Sequence, residues 1–244
     1  MRRRSRLCYA GFLAALVLLS LAALSGPGSR WGLWHFRTGF TIMRFCAYGA
    51  FVSFALSFAG VIVCVIRRKS TKGVVPGLAG LVISLAAVVI PLMWSLEANR
   101  VPRIHDITTD TANPPVFSAL PALRPTPAEY AGAEVAGIQR ARYPEIKPLE
   151  LNIAPEAAFD AALKAARGLG WEIIDADRPS LHIEAVDTTL WYGFKDDIAV
   201  RITAGDVGSR IDVRSVSRVG ISDIGTNARR IRRYFDAVRK ASVG

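Results

Sequence analysis

Three long runs without a charged residue dominate the first 96 positions of this 244-residue chain: Leu7–Leu24, Phe45–Ile66 and Val74–Leu96. A hydrocarbon core about 30 Å thick takes about 20 apolar residues in a helix, so each run is of spanning length. A buried helix of a soluble protein explains one such run. Three in succession, with charges only between them, predict a membrane region of three transmembrane helices over residues 1–96. No run carries an ionisable residue near its centre, which argues against an ion pathway, a proton relay or a gating charge. Small residues recur at four-residue spacing (Gly49, Ser53 and Ser57; Gly73 and Gly77; Gly80 and Ser84), which lets helices approach closely within a bundle.

The formal net charge of +11 invites a nucleic-acid reading until it is divided along the chain. Residues 1–96 hold 11 Lys and Arg and no acid, whereas residues 97–244 hold 20 basic and 20 acidic residues. The excess lies beside the apolar runs, a pattern of membrane orientation, so the expected partner is a lipid bilayer and not a nucleic acid. Arg2, Arg3, Arg4 and Arg6 precede the first run, and Arg67, Arg68, Lys69 and Lys72 separate the second from the third. The longer Ser25–Arg44 loop carries only Arg30, Arg37 and Arg44. The positive-inside rule then puts the N-terminus and the basic loop in the cytoplasm and everything after Leu96 outside, as in a multi-pass protein of a bacterial inner membrane. Trp31, Trp34 and Trp94 would lie at the outer interface. Cleavage of the first run as a signal peptide, near Ala23-Leu24-Ser25, is the alternative, but its apolar core is longer than the usual ~7–15 residues. Either way the C-terminal part stays outside.

Cys8, Cys46 and Cys64 all fall within the runs, so no disulfide framework or Cys-based metal site is expected after residue 96. With His35, His105 and His182 scattered, no metal or other cofactor is expected. Residues 97–142 read as a Pro-rich extended arm, in which Ile104, Ile107, Val116 and Phe117 could anchor a strap and His105 and Asp106 are solvated. Residues 143–244 read as a soluble α+β domain: an antiparallel sheet of about five strands with two helices packed on one face. Leu149–Ile153 is a short strand, Pro155 opens a helix that Gly168 and Gly170 end, and Trp171–Ala176 and Leu181–Val186 are strands. On the last of these Ile183 and Ala185 face the core, while His182 and Glu184 form a wet outer face.

Asp197–Thr203 and Ser209–Val219 alternate most regularly. Paired as a hairpin, they set Arg201 beside Asp212 or Arg214 on a polar face. The turn Val219–Asn227 then leads into a basic amphipathic helix with the stripe Ile224, Ala228, Ile231, Phe235 and Val238. Ser222 or Asp223 could cap that helix, or its N-terminus could hold an anion with help from Arg218. The candidate ligand-binding residues are therefore Arg201, Asp212, Arg214, Arg218, Ser222, Asp223 and Asn227.

The segments Gly193–Asp197, Asp212–Gly220 and Ser222–Ile231, with Thr108-Thr109-Asp110, Asn113-Pro114-Pro115 and Tyr143-Pro144, resemble the signature segments of the DUF1499 family. The similarity runs from about Pro102 to Ala241. That family is one of unknown function, often found behind membrane segments in bacterial envelope proteins. The resemblance implies domain boundaries and no catalytic residues.

These features leave three readings. The first is a non-enzymatic envelope protein presenting a domain that binds a polar ligand, a lipid headgroup or an envelope protein, in envelope maintenance or assembly. The second is a carboxylate-dependent hydrolase at the membrane surface. Asp196 and Asp197 point to opposite faces and cannot act together, so Asp197 would have to converge with Asp212 or Asp223; Ser215, Ser217 and Ser222 lack an identifiable base. The third is an accessory subunit of a membrane complex. The sequence leans away from an enzyme.

Overall fold

The computed structural model describes residues 6–66, 74–124 and 129–243. The chain divides into two compact units: Met1–Glu97 with Leu190–Gly193, and Ala98–Thr189 with Phe194–Gly244. The first unit is built on α1 (Arg6–Arg30), α2 (Phe36–Ile66) and α3 (Val74–Arg100), each long and apolar enough to cross a membrane. Leu13, Val17, Phe51, Val52, Val82 and Leu85 are exposed on their outer surfaces, as lipid-facing side chains would be. The buried seam is small and weakly polar, with Gly11, Ser53, Ser57, Gly60, Gly77, Gly80 and Ser84. Ser53 Oγ donates to the Gly11 carbonyl at 2.7 Å, and Ser84 Oγ donates to Ser53 Oγ at 3.1 Å. A Cβ added at Gly60 would lie 2.8 Å from the backbone nitrogen of Cys8, so small residues set the helix spacing. The basic residues Arg2–Arg4, Arg67, Arg68, Lys69 and Lys72, on which the expected orientation rests, lie outside the described residues, as do Gly73, Pro125 and Pro127.

The second unit is an α+β domain. Its antiparallel sheet has six strands: β1 (Asp106–Thr108), β2 (Leu149–Leu151), β3 (Glu172–Asp177), β4 (His182–Thr188), β5 (Lys195–Gly205) and β6 (Gly208–Ser217). The order is β1-β6-β5-β4-β3, and β2 pairs with the half of β6 that β1 leaves open. The long β5–β6 hairpin sets Arg201 opposite Asp212 and closes from Gly205 to Gly208. Gly208 has φ +95°, and a Cβ there would sit 2.4 Å from the Leu151 carbonyl, so the turn needs glycine twice over.

Period-2 alternation fills one sheet face with Ile183, Ala185, Ile198, Val200, Ile202, Ile211 and Val213. Helices α5 (Pro155–Gly168) and α6 (Thr226–Ser242) cover that face. From α5 come Phe159, Ala162 and Ala166, and from α6 come Ala228, Ile231, Tyr234, Phe235 and Val238. The Tyr234 ring stacks 4.7 Å from Trp171, and its hydroxyl donates to the Ala162 carbonyl at 3.1 Å. Pro155 opens α5 as expected, and Gly170 (φ +80°) is the left-handed residue after it.

The stretch expected to be an extended arm is folded into the domain. It supplies β1, a 3₁₀ turn (Leu120–Leu123) and a further helix, α4 (Ala133–Arg142). Ile104 and Ile107 enter the main core, while Phe117 and Leu120 pack with Val186, Ala199 and Val216 on the opposite sheet face. That face is therefore largely dry. Gln139 of α4 completes the β1 edge: Thr108 N–H donates to Gln139 Oε1 at 3.0 Å, and Gln139 Nε2 donates to the Thr108 carbonyl at 2.6 Å. A side-chain amide thus stands where a further strand would pair.

Candidate functional site

The strap covers the sheet face on which Arg201, Asp212, Arg214 and Arg218 lie, and each meets a partner from it or from β5. Arg214 of β6 forms a two-pronged pair with Asp106 of β1, Nε to Oδ1 at 3.0 Å and Nη2 to Oδ2 at 2.7 Å. Its guanidinium carbon lies 5.1 Å from the Phe117 ring centroid and 5.4 Å from that of Tyr130. The planar fork suits both the carboxylate and the rings. Asp106 is thus buried and paired, not solvated, because β1 pulls it beneath the strap.

Further along, Arg218 grips Asp197 with Nη2 2.7 Å from Oδ1, and Arg124 Nη1 lies 3.1 Å from the other oxygen. Burial pushes the Arg124 guanidinium below its ordinary value, against the pull of Asp197. At the β5–β6 end, Arg201 and Arg210 share Asp212 and Asp110, with Nη2 of Arg201 at 3.1 and 3.2 Å from them. Asp212 also accepts from Thr109 Oγ1 at 3.3 Å. This ring is the open part of the face, for Arg201 and Arg210 keep 24% and 36% of their side-chain surface.

Ser222, Asp223 and Asn227 lie elsewhere. Asn227 is buried between β6 and α6, where its Oδ1 accepts from Ser215 Oγ at 2.7 Å and its Nδ2 donates to the His105 carbonyl at 2.9 Å. Arg230 donates to the same Oδ1, to Asp196 and to Asp187. Asp196 and Asp197 thus serve opposite sheet faces, as strand alternation requires. Asp223 accepts from the backbone N–H of Gly225 at 2.8 Å and of Asn227 at 2.7 Å. The anion at the start of α6 is this carboxylate, which satisfies donors the helix leaves free. Burial pushes Asp223 up, and the two N–H donors only partly offset it.

The helix begins at Thr226, so Ile224 lies ahead of it and is not the first residue of the buried stripe. Ile224 has φ +51° and remains half exposed. A left-handed backbone costs a β-branched residue about 1–2 kcal/mol, and Asn or Gly would avoid most of that.

On β4, Glu184 does not lie on a wet face as alternation alone predicts: it is fully buried. Its carboxylate accepts from Ser118 Oγ at 2.6 Å, from the N–H of Ala119 at 3.1 Å, from the N–H of Leu120 at 2.7 Å and from the N–H of Ser118. Burial pushes Glu184 up, but those four donors together outweigh it and leave the group below the ordinary glutamate range. His182 Nδ1 stands 3.8 Å from the same carboxylate.

Of the seven residues marked from sequence, Arg201, Asp212, Arg214 and Arg218 share the strap-covered side, Asn227 lies between β6 and α6, and Ser222 and Asp223 lie in the turn ahead of α6. Sequence reading missed Asp110, Arg124, Gln139, Glu184, Arg210 and Arg230 as members of the polar network. The sequence signal for Glu184 was weak: one carboxylate between Ile183 and Ala185, in a strand that also carries His182 and Asp187. No curated protein matches the chain. The sequence model of a family described as "Protein of unknown function (DUF1499)" matches residues 106–238, from the first residue of β1 to the last buried residue of α6. The match takes in the strap, its ion pairs and more than half of the 244 residues, and the chain belongs to the DUF1499 family.

Proposed function

We propose that this chain is an integral membrane protein of a bacterial envelope, in which three apolar helices anchor an extracytoplasmic domain that binds a polar ligand, a lipid headgroup or a partner protein. The division of charge carries the reading. Every excess positive charge lies among the apolar segments, and the domain after them is neutral. An alkaline phosphatase reporter fused after Val243 should be active, and a green fluorescent reporter at the same position dark. The reverse result would place the domain in the cytoplasm and remove the reading.

The binding surface that fits best is the open ring of Asp110, Arg201, Arg210 and Asp212, which offers guanidinium groups to solvent from a rigid hairpin. Arg201→Ala is the informative variant, since buried Asp212 keeps Arg210 as its cation. The full chain purified from membranes in mild detergent should lose its bound envelope partner or lipid with this change, while folding and localisation persist. An unchanged set of co-purifying molecules would exclude the ring. The hydrolase reading is disfavoured by how its carboxylates are used: Asp197 is held by Arg218 and Arg124, Asp212 by Arg201 and Arg210, and Asp223 by backbone N–H groups.

A further inference from the structure

The turn from Val219 to Ile224 is built inside out. In a turn facing water, polar side chains point outward and apolar ones are tucked away. Here Ser222 Oγ donates to the Pro102 carbonyl at 3.3 Å and accepts from the Ile224 N–H, and Asp223 is turned toward the start of α6. The backbone N–H of Asp223 is bound as well, to the Ile104 carbonyl at 3.3 Å. The outward side chains are Val219, Ile221 and Ile224, exposed by 39%, 70% and 39%. The strained backbone of Ile224 therefore holds an apolar side chain that the domain itself does not bury. The left-handed backbone at Ile224 belongs to the turn in which Asp223 reaches the N–H groups of Gly225 and Asn227, but the isoleucine side chain itself gains no cover from the domain, which points to a requirement outside it.

The tether says where that requirement lies. Pro102, the hydrogen-bond partner of Ser222, follows the last residue of α3 by two positions. Leu96 is the last residue of the uncharged run, and the six residues from there to Pro102, four helical and two extended, reach at most about 13 Å. The headgroup layer outside the hydrocarbon is about 5–8 Å thick on each side. The turn is thus held within reach of the membrane surface. The connection between β4 and β5, through Leu190 and Trp191, leaves the sheet at this same end, because Asp196 pairs with Ser217 and Arg218 N–H donates to the Lys195 carbonyl. Arg100, Arg103 and Arg229 are exposed in the flanking stretches, against one exposed acid there, Glu97.

We infer that Val219, Ile221 and Ile224 enter the interfacial layer of the bilayer that α3 crosses, with the flanking arginines on anionic headgroups. Ser222 and Asp223 then serve to shape the turn and present its isoleucines. The inference rests on the anchor reading only in that α3 spans the bilayer, and not on which side the domain lies.

The test uses the full chain with Cys8, Cys46 and Cys64 replaced by Ala and a nitrobenzoxadiazole fluorophore on Ile221→Cys. It is reconstituted in phosphatidylcholine–phosphatidylglycerol vesicles, some carrying bromine near the headgroup end of the acyl chains. The label at 221 should emit to the blue of the same label at Asp206→Cys, in the turn at the far end of the β5–β6 hairpin. Brominated lipid should quench it about twofold, as expected of a residue buried in the headgroup–acyl boundary, and leave position 206 unchanged. A photo-crosslinking residue at 221 in the chain with its native cysteines gives a second reading, and phospholipid adducts are the expected product. Water-like, unquenched emission at 221 would overturn the inference. So would shielding without bromine quenching or adducts to a protein chain, which would assign the turn to a protein partner. Quenching in symmetric vesicles reports depth alone, so its failure is distinct from a failure of the reporter fusion, which reports side.

Discussion

Arg214→Ala should destabilise the α+β domain by about 3–5 kcal/mol, the cost of leaving one partner of a buried ion pair without the other. The side chains of Arg214 and Asp106 keep only 3% and 7% of their surface, so water cannot replace the lost guanidinium. The change also empties the slot between Phe117 and Tyr130. Because Asp106 belongs to β1, the loss falls on the contact that holds the strap to β6. Denaturant unfolding of the full chain in detergent, followed through Trp171 in the domain core, measures it. Arg214→Lys should recover only part, since an ammonium neither forks onto the carboxylate nor stacks on the rings. Replacing both partners with apolar residues of similar volume should be far milder than either single change. A loss below about 1 kcal/mol for Arg214→Ala would mean that the strap is not held by this pair.

Glu184→Ala should cost about 3 kcal/mol or more, because three backbone N–H groups and the Ser118 hydroxyl lose one shared acceptor. Glu184→Gln should cost about half as much, since it keeps the shape and an acceptor but not the charge. The two forms should also differ in their response to acid. The Glu184 carboxyl lies lower in the folded chain than in the unfolded one. Its contribution is therefore complete above the unfolded value of about 4.3 and is lost as pH falls through the folded value. The stability gap between wild type and Glu184→Gln should be constant from about pH 6 to 8 and should narrow as pH falls below the unfolded value of about 4.3. Asp223, shifted upward, acts in the opposite sense, but it is common to both proteins and cancels in the difference. A gap that stays open in acid would show that Glu184 is not held as a carboxylate.

Much of the domain was legible because its signals are local. Alternation sorted Ile198, Val200, Ile202, Ile211 and Val213 onto the helix-covered face, and Arg201, Asp212, Arg214 and Arg218 onto the other, since a strand turns successive side chains to opposite sides. Pro155 and Gly170 marked the limits of α5 for equally local reasons. The polar network was not legible in the same way. Asp106 and Arg214 are 108 residues apart in sequence, and no periodicity connects them. Their pairing depends on β1 adding to β6 in one register, which a three-residue strand in a Pro-rich stretch does not announce. Glu184 shows the same limit, for the outer side of a strand is wet only if nothing covers it, and the strap does.

The sequence alone determined the three apolar segments, the charge neutrality of residues 97–244, the α+β class and which residues share a strand face. Those properties depend on composition and on spacings of two to four residues. The tertiary structure decided which charges are buried, because a carboxylate loses its water only when a distant segment closes over it. It also decided that Ser222 and Asp223 turn inward while Ile221 and Ile224 turn outward. That choice depends on Pro102 and Ile104, more than 100 residues upstream, which supply the carbonyls that hold the turn.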